Sequence, residues 1–103
     1  MQIEHCGQFV KIFLPKRIDL INVHKFKRSL QTLFEQGQDF IMVDCTALTM
    51  IDSAGLGSLV MFQKKLKDRG GKLKIVNVRH RYIRHLFDMI ELSKIICIAE
   101  TDT

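Results

Sequence analysis

The apolar positions change period several times along the chain, and each change marks an element. Gln2–Cys6 and Phe9–Leu14 are short, alternating, β-branched runs on either side of Gly7-Gln8. This pattern predicts an antiparallel hairpin, which Pro15 ends because it has no N–H to donate. From Val23 to Gln36 the apolar residues Val23, Phe26, Leu30, Leu33 and Phe34 recur at spacings of three and four. That is one face of a helix, with Gly37 as its C-terminal stop. Phe40–Val43 is an unbroken apolar run of strand length, as expected for a strand covered on both faces. A loop over Cys45–Ser53 follows. Ser53 to Arg69 then predicts a second helix, with Leu56, Leu59, Val60, Phe62 and Leu66 apolar and Gly70-Gly71 as its stop. Leu73–Val78, Tyr82–Met89 and Ile95–Ala99 read as strand, helix and strand.

The predicted order is ββαβαβαβ, an α/β fold over a single domain, residues 1–103. Strands alternating with helices imply a mostly parallel sheet behind an N-terminal antiparallel hairpin, with the helices packed on the sheet by right-handed crossovers. Ile41, Val43, Leu59, Val60, Ile75, Val76, Leu86 and Ile96 are the expected core. In such sheets the strand-to-helix loops at the carboxyl ends of the strands usually meet ligands and partners. The segment Cys45–Ser53 is that loop.

With 47% hydrophobic and 26% charged residues in 103, the chain suits one globular core and excludes a disordered or fibrous class. No apolar run approaches the roughly 20 residues that span a bilayer. Met1–His5 has neither the basic region nor the apolar core of a secretory signal. Cys6, Cys45 and Cys97 lie far apart, each among apolar residues of a predicted strand. They are expected to be reduced core thiols, which implies a cytoplasmic protein. The net charge is +5, and nine of the sixteen basic residues fall between Lys64 and Arg84, opposed only by Asp68. Such a stripe could meet phosphates. Lys64, Lys65, Lys67 and Arg69, however, read as the solvent face of a helix end, where cations complement the macrodipole. Interleaved aromatics are few: Phe62, Tyr82 and Phe87. A solvated face is therefore expected, with no nucleic-acid or membrane partner, and an acidic protein partner is the alternative.

Candidate chemistry concentrates in Thr49–Gly57. Asp52 and Ser53 stand where loop becomes helix, and Gly55 and Gly57 follow in its first turns. A glycine inside a helix costs about 1 kcal/mol relative to alanine, so two of them need a reason. Either they let another surface approach an exposed Ser53 hydroxyl, or Asp52 or Ser53 only caps the helix and the glycines permit tight packing. An enzyme is not expected. Ile51 occupies the place of the first glycine of a nucleophile elbow, and His24, His80 and His85 have no orienting carboxylate in sequence. His80 and His85 are five apart and suit one metal poorly, and no phosphate-binding glycine loop is present. No metal and no cofactor are implied.

Ile51-Asp52-Ser53-Ala54-Gly55-Leu56-Gly57 resembles the signature of STAS domains, specifically the single-domain anti-sigma factor antagonists of bacteria. The similarity continues through Lys67–Leu73 with its double glycine, Arg84–Met89 and Lys94-Ile95-Ile96. It implies that Ser53 is the serine phosphorylated by a cognate kinase. It also implies that Asp19, Asp52, Ala54, Gly55, Leu56 and Gly57 belong to the partner-binding surface. By the same resemblance the unphosphorylated protein binds an anti-sigma factor that is a serine kinase of the histidine-kinase-like ATPase fold. Phosphorylation then releases it, and a metal-dependent serine phosphatase resets the switch. Pro15-Lys16-Arg17-Ile18-Asp19 departs from the Gly-Glu usual in the family's early loop. Two cations there imply a partner surface unlike the usual one. Alternative STAS roles are a partner switch with a non-sigma output such as biofilm, motility or secretion, and an accessory subunit of an ABC-type transporter.

Overall fold

Val10 and Ile12, Ile41 and Val43, and Leu73 and Ile75 project from three adjacent strands into one buried layer. The computed structural model describes residues 1–102; the expected domain end at Thr103 lies outside them. Strands β1 (Ile3–Cys6) and β2 (Phe9–Phe13) form the antiparallel hairpin, its turn made by Gly7 at φ 64°. Two short strands, β3 (Arg17–Ile18) and β5 (Met50–Ile51), pair only with each other, in parallel, with Arg17 beside Met50 and Ile18 beside Ile51. The main sheet has the order β1-β2-β4-β6-β7, with β4 at Phe40–Asp44, β6 at Lys72–Val76 and β7 at Cys97–Ala99; every pair after the hairpin is parallel.

Helices α1 (Val23–Glu35), α2 (Ser53–Asp68) and α3 (Arg81–Met89) bring Phe26, Leu30, Leu59, Phe62, Leu66, Ile83 and Phe87 into the same core. All three therefore lie on one side of the sheet. Of the expected core, Ile41, Val43, Leu59, Ile75, Val76 and Ile96 are buried, and Val60 and Leu86 are half-buried against it.

Several boundaries and environments differ from the sequence reading. The strand expected over Leu73–Val78 stops at Val76, because Asn77 turns left-handed at φ 58°. The last strand is shorter than Ile95–Ala99: a 3-10 turn at Leu92–Lys94 precedes it and leaves Ile95 exposed. Only Cys45 is a core thiol. Cys6 and Cys97 lie on the two edge strands and are half-buried and exposed, though all three are free. The double glycine does more than stop α2. A Cβ on Gly71 would sit 1.8 Å from the Asp39 carbonyl oxygen, so only glycine lets the chain enter β6 there. No helix among the described residues is long and apolar enough to cross a membrane.

Candidate functional site

The β3–β5 pair decides where the candidate residues meet. It ties the segment after β2 to the segment after β4, which are thirty-two residues apart at Leu20 and Asp52. Both sit at the carboxyl end of the sheet. Asp52 is the N-cap of α2: its Oδ1 accepts from the Ala54 and Gly55 backbone N–H groups at 3.0 and 3.1 Å. Its Oδ2 accepts from the Leu20 N–H at 2.9 Å. One carboxylate thus starts the helix and pins the neighbouring loop. Of the two caps the sequence allowed, Asp52 is the one used, which leaves the Ser53 hydroxyl exposed at the first residue of α2.

The loop itself is knit by its own polar groups. Asp19 Oδ1 accepts from the Ile21 and Asn22 N–H groups at 3.1 and 3.2 Å, and Asn22 Oδ1 accepts from the Asp19 N–H at 2.8 Å. Arg17 donates to Asp19 Oδ2 at 3.4 Å. Asp19 is therefore half-buried loop scaffold beside the serine. Because both aspartates are committed to backbone groups, Leu20 and Ile21 turn outward, 77% and 83% exposed. Met50, opposite Arg17 in the short sheet, is exposed, and Leu56 is half-buried. Sequence reasoning missed Leu20 and Ile21. Their signal was an apolar pair in a loop, where nothing local demands burial.

The two glycines have different duties. A Cβ on Gly55 would lie 2.6 Å from Ile51 Cγ1 and 2.8 Å from Ile18 Cγ2, so this residue faces inward and lets α2 rest on the β3–β5 pair. It is buried in the free domain. Gly57 meets no atom within 4 Å of a built Cβ and is exposed beside Ser53. Gly57→Ala should raise stability by up to about 1 kcal/mol through helix propensity. Gly55→Ala should lower it, since overpacking costs about 1–3 kcal/mol against the same gain. Opposite shifts of the denaturation midpoint would show this.

The Asp52 carboxyl is held below its ordinary range, mainly by the Gly55 N–H, with the Leu20 and Ala54 N–H groups outweighing the effect of burial. A depressed folded value means stabilisation that is present above the ordinary carboxylate range and lost as pH falls through the folded value. The melting temperature of Asp52→Asn should therefore trail wild type at neutral pH. The gap should narrow as the solution is acidified below that range.

No group of three or more potential metal-ligating side chains occurs among the described residues. A STAS domain family profile matches residues 1–102. The chain belongs to the STAS domain family. This STAS domain is 34% identical over 90 residues to the anti-sigma-B factor antagonist of Bacillus subtilis (strain 168), covering 87% of this chain and 81% of the relative. In structure it is similar to the anti-sigma factor antagonist SpoIIAA in its unphosphorylated form, at 20% identity and a TM-score of 0.74, over 97% of this chain and 87% of the other. It is similar also to the Bacillus cell fate determinant SpoIIAA in the phosphorylated form, at 23% identity and a TM-score of 0.72, over 96% and 90%. At these identities the two structures establish the STAS fold alone.

Proposed function

We propose that this STAS domain is an anti-sigma factor antagonist whose partner binding is switched by phosphorylation of Ser53. The observation that carries the reading is an exposed hydroxyl at the first residue of α2, directly after a capping aspartate that also pins the loop carrying exposed Leu20 and Ile21. An apolar rim around a small polar centre suits a protein partner better than a small substrate. Two further findings support the reading: the relative named an anti-sigma-B factor antagonist, and the description of SpoIIAA in a phosphorylated form.

In the unmodified state an anti-sigma factor docks over Ser53, Ala54, Leu56 and Gly57 and against Leu20 and Ile21. That partner is also the kinase, of the histidine-kinase-like ATPase fold, and it phosphorylates the serine it covers. The complex then separates, and a metal-dependent serine phosphatase restores the hydroxyl. The domain's own role is regulatory, and it works in the cytoplasm without a cofactor. Incubation with the cognate kinase and ATP, followed by intact-mass and fragment analysis, tests this. One added phosphate on Ser53 is expected, and a phosphate confined to another residue would end the proposal. Exposed Lys16 and Arg17 at the same edge favour a second reading, the same switch with a partner controlling a non-sigma output.

A further inference from the structure

The basic stripe between Lys64 and Arg84 divides into two unlike halves. In the first, Lys65 Nζ donates to Gln31 at 2.5 Å and lies 4.8 Å from both the Phe34 and Phe62 rings. Arg69 stacks 3.6 Å over Phe34 and bonds Asp39 and the Phe34 carbonyl. These two cations hold α1 to α2, and they are not the purely solvated groups the sequence implied. Lys64 and Lys67 beside them are exposed.

In the second half, Arg79 and Arg84 are held by longer contacts. Arg79, Arg81, Arg84 and His85 line an open groove of about 400 Å³ along α3, with Asp88 as its one acidic residue. Arg81 is the first residue of α3, where the helix dipole disfavours a cation, and the first turn has no acidic residue to offset it. Among the described residues the Arg84 side chain reaches the exposed Glu100, at 3.5 Å. Arg79 is aimed from beneath. Buried Asp44 accepts from Asn77 Nδ2 at 2.8 Å, and Asn77 Oδ1 accepts from the Arg79 guanidinium at 3.3 Å. Burial pushes the Asp44 carboxyl up, but the Asn77 and Thr46 hydrogen bonds outweigh it and keep it charged. Clustered guanidinium groups at an uncapped helix start are unfavourable for the isolated domain and favourable once carboxylates meet them, because each planar fork takes a carboxylate in two bonds.

We propose that this α3 groove docks an acidic segment of a partner protein, separately from the surface around Ser53. The two surfaces are offset along the sheet: the β3–β5 pair continues the ends of β2 and β4, whereas α3 joins β6 to β7, toward the opposite edge. The groove is open to solvent and lined by several separate cations, which suits a chain with several carboxylates more than one enclosed small anion.

A fluorescein-labelled octaglutamate peptide, titrated by anisotropy, tests the proposal. Wild type should bind saturably, and more weakly as salt rises. Arg81→Glu with Arg84→Glu should weaken binding about tenfold or more, while Lys64→Glu with Lys67→Glu, the same change in net charge, should stay within about twofold. Ser53→Asp should bind the peptide as wild type does. Equal losses in the two charge-reversed variants would reduce the effect to net charge and overturn the proposal, as would absence of saturable binding. Loss of the peptide in Ser53→Asp would show one shared surface and overturn the separation. Tighter, arginine-dependent binding of a single-stranded DNA oligonucleotide would assign the groove to nucleic acid.

Discussion

Ser53→Asp should fold like the wild type and lose about a hundredfold or more of its affinity for the anti-sigma partner, roughly 2.8 kcal/mol. The hydroxyl is exposed, so its replacement disturbs no packing. The Ala54 and Gly55 N–H groups already belong to Asp52, so a second carboxylate at position 53 finds them taken. In water the added charge is solvated at little cost. In an interface rimmed by Leu20, Ile21 and Met50 it would be stripped of water beside Asp52 and Asp19. Burying an uncompensated charge next to like charges costs several kcal/mol, and a phosphate, at about −1.5 to −2, costs more. Ser53→Ala adds no charge. It should hold the partner at wild-type affinity and take no phosphate. Calorimetric titration of the three proteins with the kinase reads the affinities, and circular dichroism melts show that the fold is intact. Tight binding by Ser53→Asp would sink the switch.

Ile18→Ala should have the largest effect on stability, about 2–5 kcal/mol, the cost of a cavity at a fully buried aliphatic. Ile18 is 0% exposed, pairs with Ile51 and lies against Gly55 at the start of α2. It is therefore the floor of the site as well as core. Emptying it removes the packing that sets the 17–22 loop against Asp52, so partner affinity should fall even at temperatures where the variant is folded. Ile18→Val, which removes one methylene, should cost only about 0.5–1.5 kcal/mol and spare most of the binding. Urea titrations of both variants, with binding measured at a temperature well below each melt, separate the two effects. A variant at Ile18→Ala that kept wild-type stability would show that the β3–β5 pair is not a structural floor.

The long periodic elements were legible because their cause is local. Val23–Glu35 and Ser53–Asp68 repeat apolar residues at helical spacing, β4 carries a continuous apolar run and β6 a short one broken by Lys74, so the mostly parallel sheet follows from strands alternating with helices. The signature around Ser53 was legible for the same reason, since seven contiguous residues hold the cap and the helix start. Two-residue strands leave no period to detect. Arg17–Ile18 and Met50–Ile51 are extended only because each finds the other, across thirty-three residues of chain. That pairing placed Asp19 beside Asp52, turned Leu20 and Ile21 to the surface and set Gly55 inward and Gly57 outward. The sequence by itself determined the α/β class, the hairpin, the three helices and the serine at a helix start. The tertiary structure alone decided what that serine stands among, and which cations of the basic stripe are engaged within the fold. Both depend on contacts between distant segments, whose geometry no local spacing encodes.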